Sequence, residues 1–174
     1  MTLDKTHEEI HVPVHRGDHH GQMPLVIRKV KKTRSTPRRS KEMVFASLHH
    51  HSTFSYGDGY QLPSAHVRRA EEIGLNAMAM TEHGNISSHV QLEKAAKQAG
   101  VKPLYGVELY GGEIGENATQ RKNHLTILAQ DQTGYHNLLN LVTQTFARGF
   151  YYEPTADKEM LEQHKEGLVI LSGC

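Results

Sequence analysis

From residue 44 onward, apolar positions alternate between two rhythms. Val44-Phe45-Ala46-Ser47-Leu48 reads as a short strand. The spacing then predicts a helix over 62–73, where Leu62, His66, Ala70 and Ile73 recur at helical intervals. Pro63 suits its first turn and Gly74 stops it. Asn76 to Met80 is a second strand, and residues 86–99 form a second helix ended by Gly100. A third strand covers 104–110, followed by a loop with Gly111, Gly112 and Gly115. His124 to Gln130 is a fourth strand, and 135–146 is a helix carrying Leu138, Leu141, Val142 and Phe146. A last helix over 157–164 precedes an apolar strand at Leu168-Val169-Ile170-Leu171. Strands of nearly continuous apolar residues alternating with helices predict an α/β fold, a parallel sheet covered by helices. Five such strands are too few to close a β/α barrel.

Residues 1–43 have a different texture. Arg28 to Lys41 contains eight Lys or Arg and no acidic residue. Residues 1–44 hold ten basic and five acidic residues, whereas 45–174 hold ten basic and 14 acidic. Arg34 to Ser40 has no apolar side chain to bury, so residues 1–43 are expected to be a disordered basic tail, and 44–174 the folded domain. A basic arm can contact nucleic acid phosphates, and it can equally be a solvated tail. The longest apolar runs fall far short of the roughly 20 residues of a membrane span, and residues 1–20 have no signal-peptide pattern. One cysteine, Cys174, cannot form an internal disulfide, which suits a reducing compartment and a cytoplasmic setting.

The composition stands out in its 14 His. His7, His11, His15, His19 and His20 lack a regular ligand spacing. His49-His50-His51 is different, because it follows a strand directly. In extended chain, residues two apart point the same way, so His49 and His51 share one direction and His50 takes the other. Two imidazoles on one edge are good ligands for zinc or another transition metal. His83 follows the strand at 76–80, Glu108 ends the strand at 104–110, and Cys174 follows the final strand. In a parallel β/α fold, strand C-termini form the face where sites are built. His124 opens its strand, so the expectation places it at the other end. Asp58 lies in a Gly57-Asp58-Gly59 turn, a setting Asp also favours for local reasons, and Cys174 also suits a small buried thiol. The convergence predicts a multinuclear centre with a bridging carboxylate such as Glu108, a chemistry suited to phosphoester hydrolysis. His66, His89, His136 and His164 lie within helices and are given no role.

The segments FASLHHHSTFSYGDG (45–59), TEHGN (81–85), GVELY (106–110), HLTILAQDQTGYHNL (124–138) and EGLVILSGC (166–174) together resemble the PHP (polymerase and histidinol phosphatase) domain. The resemblance is to the version at the N-terminus of bacterial DNA polymerase III alpha subunits. It implies a PHP-type distorted (β/α)7 barrel, here incomplete, with up to three divalent metals (Zn, Mn or Fe). By that likeness His49 and His51 would hold a first metal. Glu108 would bridge to a second, shared with His124 and Cys174, and Asp58 and His83 would serve a third. The implied function is DNA-directed DNA synthesis in a full-length polymerase, whose Mg site lies outside this sequence. The PHP part would be a metal-dependent 3′–5′ exonuclease or a proofreading scaffold. The implied partners are DNA, a proofreading exonuclease and the sliding clamp, with no membrane. A stand-alone PHP phosphoesterase and a catalytically silent structural domain are the alternatives. The sequence departs from the family pattern in its basic N-terminal extension and in lacking the final Asp-x-His motif, so this chain alone is expected to be inactive.

Overall fold

The structure is a computed structural model and describes residues 9–10, 27–28, 45–115 and 122–173. The chain divides into two units, Met1–Arg38 and Arg39–Cys174. In the first, β1 (Glu9–Ile10) pairs antiparallel with β2 (Ile27–Arg28). The rest of the segment expected to be a disordered tail, including Arg34 to Ser40, lies outside the described residues.

The second unit is a mixed α/β half-barrel built on a 7-stranded sheet. Its elements are β3 (Ala46–Ser47), α1 (Pro63–Glu72), β4 (Ala77–Met80), α2 (His89–Ala99), β5 (Lys102–Gly111), β6 (Asn123–Ala129), α3 (Gln132–Arg148), β7 (Phe150–Tyr151), β8 (Glu153–Ala156), α4 (Lys158–His164) and β9 (Leu168–Ser172). The main path of the sheet is β3-β4-β5-β6-β9, with β8 joined to β5 and β7 to β8.

Local chemistry explains the boundaries. α1 opens on Pro63, whose fixed φ fits a first turn. Asp131 caps α3 by accepting from the Gly134 amide at 2.8 Å, and Asp157 caps α4 through the Met160 amide at 2.8 Å. Two apolar clusters hold the layers together. Val67 and Ala70 of α1 and Leu92 and Ala96 of α2 close over Met78 and Met80 of β4. Leu138, Leu141 and Val142 of α3 and Met160 of α4 close over Val107, Leu109 and Ile127.

Two expectations need correction. The sheet is not parallel throughout: β3, β4 and β5 run parallel, but β6 is antiparallel to both β5 and β9. The connection between β5 and β6, residues 112–122, is shorter than the dozen or more residues a parallel crossover needs. The strands also exceed five, because β7 and β8 form a tight hairpin through Tyr152 at φ 62°. Pro154 disguises β8 as loop, since proline is excluded from sheet interiors. β8 pairs parallel with β5 only at Tyr110 and Gly111.

Candidate metal centre

The site is built from four strands, β3 to β6, and one loop. Past β3 the chain stays extended, and His49 and His51 fall on one side. His50 turns to the other, its ring 5.8 Å from that of His66. On β5 the alternation of a strand sends Val107 and Leu109 into the apolar cluster and Glu108 to the opposite face. On β6 Ile127 enters the same cluster, and Thr126 lies opposite Glu108 in the ladder. His124 pairs with Tyr110. Because β6 is inverted, its first residues lie beside the last residues of β5. His124 therefore belongs to the same sheet end as the other candidates, not the far end. His83 follows β4 and forms a parallel bridge with Glu108. Asp58 rides on the 52–61 loop, closed by Thr53 donating to the Gln61 carbonyl at 2.9 Å. A Cβ on Gly59 would sit 1.6 Å from the Ser52 carbonyl oxygen, so only glycine permits that loop to fold so tightly.

Glu108 is the hub. Its side chain is almost wholly buried, and its Oε2 lies 3.0 Å from His49 Nε2 and 2.9 Å from His51 Nε2. Those two nitrogens are 3.0 Å apart. Its Oε1 contacts His124 Nδ1 directly and lies 3.9 Å from His83 Nδ1. A second group adjoins the first. His83 Nε2 lies 2.9 Å from Asp58 Oδ2, His51 Nε2 lies 3.9 Å from that same oxygen, and the His51 and His83 rings stack at 4.2 Å. His51 is thus common to two groups of three potential ligands, His49/His51/Glu108 and His51/Asp58/His83.

The structure brings together His49, His51, Asp58, His83, Glu108 and His124. Cys174 lies outside the described residues, although the preceding Gly173 amide donates to the His124 carbonyl at 2.8 Å.

Burial governs the charges. It is the main cause that holds the His51 imidazole below its ordinary 6.5, with His83 adding to it, and the attraction of Glu108 does not reverse the direction. The His83 hydrogen bond holds the exposed Asp58 carboxyl below its usual range. Burial pushes the Tyr110 phenol up beside His124.

Several supporting residues are not foreseen from sequence. His49 Nδ1 lies 3.1 Å from Thr126 Oγ1 and 3.4 Å from Thr81 Oγ1. His51 Nδ1 lies 2.9 Å from Ser55 Oγ. Glu82 is fully buried and gathers Ser52 and Ser55. Their signal is faint: hydroxyl residues in a loop after two histidines, and a carboxylate before a third.

The donor set fits a divalent transition metal. Imidazole nitrogen and carboxylate oxygen are the ligand types such ions take, and all ligand atoms in each group lie within 4.8 Å of one another. Glu108 Oε2 and His83 Nδ1 are buried, and neither has a hydrogen-bond partner. The same holds of His50 Nδ1, His66 Nε2 and His89 Nδ1 away from the cluster, so it is the ligand set, and not the missing bonds, that suits a cation here.

Comparison with known proteins shows which family the chain resembles. The PHP domain family profile matches residues 47–174. DNA polymerase III subunit alpha of Treponema pallidum is 38% identical over 138 residues, covering 76% of this chain and 12% of the relative. The Thermus aquaticus protein of the same name is 39% identical over 144 residues, again 76% of this chain and 12% of the relative. The chain thus spans about an eighth of the length of these relatives. Among solved structures, a Bifidobacterium adolescentis protein described as a metal-dependent phosphoesterase superposes with a TM-score of 0.46 at 22% identity, over 59% of this chain and 33% of that one.

Proposed function

The chain belongs to the PHP domain family, and from that premise we propose that it is the PHP domain of a DNA polymerase III alpha-type subunit, with a divalent-metal centre for phosphoester hydrolysis at its strand ends. The observation that carries the chemical part is the buried Glu108 carboxylate facing His49 Nε2 and His51 Nε2 at 3.0 and 2.9 Å. The names of the relatives matched over this region support the polymerase assignment.

Divalent metals bound here supply Lewis acidity to a phosphoryl group and favour deprotonation of water near neutral pH. The ions proposed are Zn, Mn or Fe. His49, His51 and Glu108 hold one position, and His51, Asp58 and His83 frame a neighbouring one. His124, against the second Glu108 oxygen, extends the cluster toward β9, where the family pattern adds Cys174. The buried Glu108 fixes the geometry. The exposed Asp58, its side chain 60% accessible, leaves the outer group open to solvent and to a substrate phosphate. The substrate class we assign is the 3′ end of single-stranded DNA. The partners are then DNA, a proofreading exonuclease and the sliding clamp, in a cytoplasmic replication assembly. Among the described residues no helix is long and apolar enough to cross a membrane.

The test uses the complete gene product and a 3′-labelled single-stranded oligonucleotide with Mn. Replacing both His49 and His51 by Ala is expected to lower the hydrolysis rate by at least about a hundredfold while primer extension continues, since ligand loss exceeds the 10–100-fold effect of losing an outer partner. Unchanged hydrolysis in the double variant would refute the site.

A further inference from the structure

We infer that Glu82 and Ser55 form a hydrogen-bond relay that sets the tautomer of His51, placing its proton on Nδ1 and leaving Nε2 bare toward Glu108. The metal consequence of this relay rests on the reading above; the relay itself rests only on the geometry.

Glu82 has 0% exposure, and among the described residues it forms no ion pair. It accepts from the Ser52 amide at 3.0 Å, the Ser52 hydroxyl at 2.6 Å and the Ser55 hydroxyl at 2.5 Å. A carboxylate can only accept, so the Ser52 and Ser55 hydroxyl protons are both committed to it. The Ser55 oxygen then has only lone pairs to offer. One receives the His83 amide at 3.0 Å. The other faces His51 Nδ1 at 2.9 Å, and that contact is a hydrogen bond only when Nδ1 carries the proton. The opposite tautomer would set a bare ring nitrogen against a hydroxyl oxygen with no hydrogen between them, at a buried position where an unmade bond is costly.

The relay acts at two points. With its Nδ1 proton committed to Ser55, the His51 ring has Nε2 left as the atom to take an ion, 2.9 Å from Glu108 Oε2. Through the His83 amide it also ties down the backbone that carries His83. Ser55 thereby couples a ring from one potential metal group to the main chain of the other. Outer partners of this kind orient metal-binding histidines and raise their basicity. Glu82 and Ser55 are positioning residues; among the described contacts neither belongs to the two ligand groups.

The test takes the full chain with 15N-labelled histidine. Long-range proton–nitrogen spectra of the metal-free protein report the tautomer, and competition against a chromophoric chelator reports affinity for zinc alone. Wild type is expected to show His51 as the Nδ1–H form. Ser55→Ala and Glu82→Gln are expected to show mixed tautomers and roughly 10–100-fold weaker zinc binding, whereas Ser55→Thr, which keeps a hydroxyl, restores both. An Nε2–H form in wild type would overturn the relay, whether or not any variant folds. So would wild-type tautomer and affinity in a folded Ser55→Ala variant. An Nδ1–H form in a wild-type chain that binds no zinc would support the relay and overturn the metal reading.

Discussion

The two ends of β5 hold histidines in opposite states. At one end His51 is half-buried against Glu108; toward the other, His89 of α2 is 3% exposed beside Tyr105 and Tyr135. Burial is the main cause that holds both imidazoles below the ordinary 6.5. Burial and pKa therefore do not separate a ligand from a core residue here. The partner of the outer nitrogen does. His89 Nε2 donates to the Gly106 carbonyl at 2.9 Å, and its buried Nδ1 has no hydrogen-bond partner among the described residues. His51 Nε2 faces a carboxylate oxygen at 2.9 Å and the Nε2 of a second imidazole at 3.0 Å. At one end of the strand a backbone carbonyl takes the outer nitrogen, and at the other the outer nitrogen faces the groups proposed to hold a metal.

The largest expected effect breaks the Glu108 end. Glu108→Ala removes the group that His49, His51 and His124 all face. Zinc or manganese affinity is expected to fall by at least about a hundredfold. The denaturation midpoint of the metal-free chain should fall, because the variant removes the buried carboxylate that three imidazoles contact and leaves a cavity. Competition titration and urea unfolding check the two halves of that statement. Retained affinity would mean that Glu108 is an ordinary buried acid.

The smaller effect breaks the other end and should act on stability alone. His89→Leu leaves the Gly106 carbonyl without its imidazole donor, at a cost of about 1–3 kcal/mol in stability. Metal affinity should stay at the wild-type value. The pH dependence sharpens the contrast. Unfolded His89 takes up a proton near 6.5, while the folded residue titrates lower. The native state then binds fewer protons, so the stability due to this group is complete above pH 6.5 and is lost as pH falls from there toward the folded value. One such proton gives a slope of about 1.4 kcal/mol per pH unit, which His89→Leu should remove. His50 and His66, also lowered chiefly by burial, keep a residual slope of the same sign. A drop in metal affinity with His89→Leu would show that the two ends are not independent.

Much of this was legible in the sequence, for identifiable reasons. Ala77–Met80 is a continuous apolar run and β5 an apolar run interrupted by Glu108, both between helical spacings, and both are strands. His49, His51 and His83 follow strands, so topology gathers them, whereas Glu108, expected to end its strand, lies inside β5, which continues to Gly111. His124 was legible as a candidate but not as a neighbour, because periodicity carries no strand direction. The short connection after Gly111 was the cue to the inversion. β8 was hidden by Pro154. Ser52, Ser55 and Glu82 were hidden for a deeper reason: a hydroxyl in a loop has no periodicity, and its role exists only once the loop closes on Gly59. The family resemblance added what spacing could not suggest, namely a proposed pairing of ligands into metal positions.

The most direct test of the account is anomalous diffraction from crystals of the chain grown with manganese or zinc. The account predicts a peak at coordination distance, about 2.0–2.2 Å, from His49 Nε2, His51 Nε2 and a Glu108 oxygen. Ordered side chains with no anomalous density between them, at saturating metal, would contradict it.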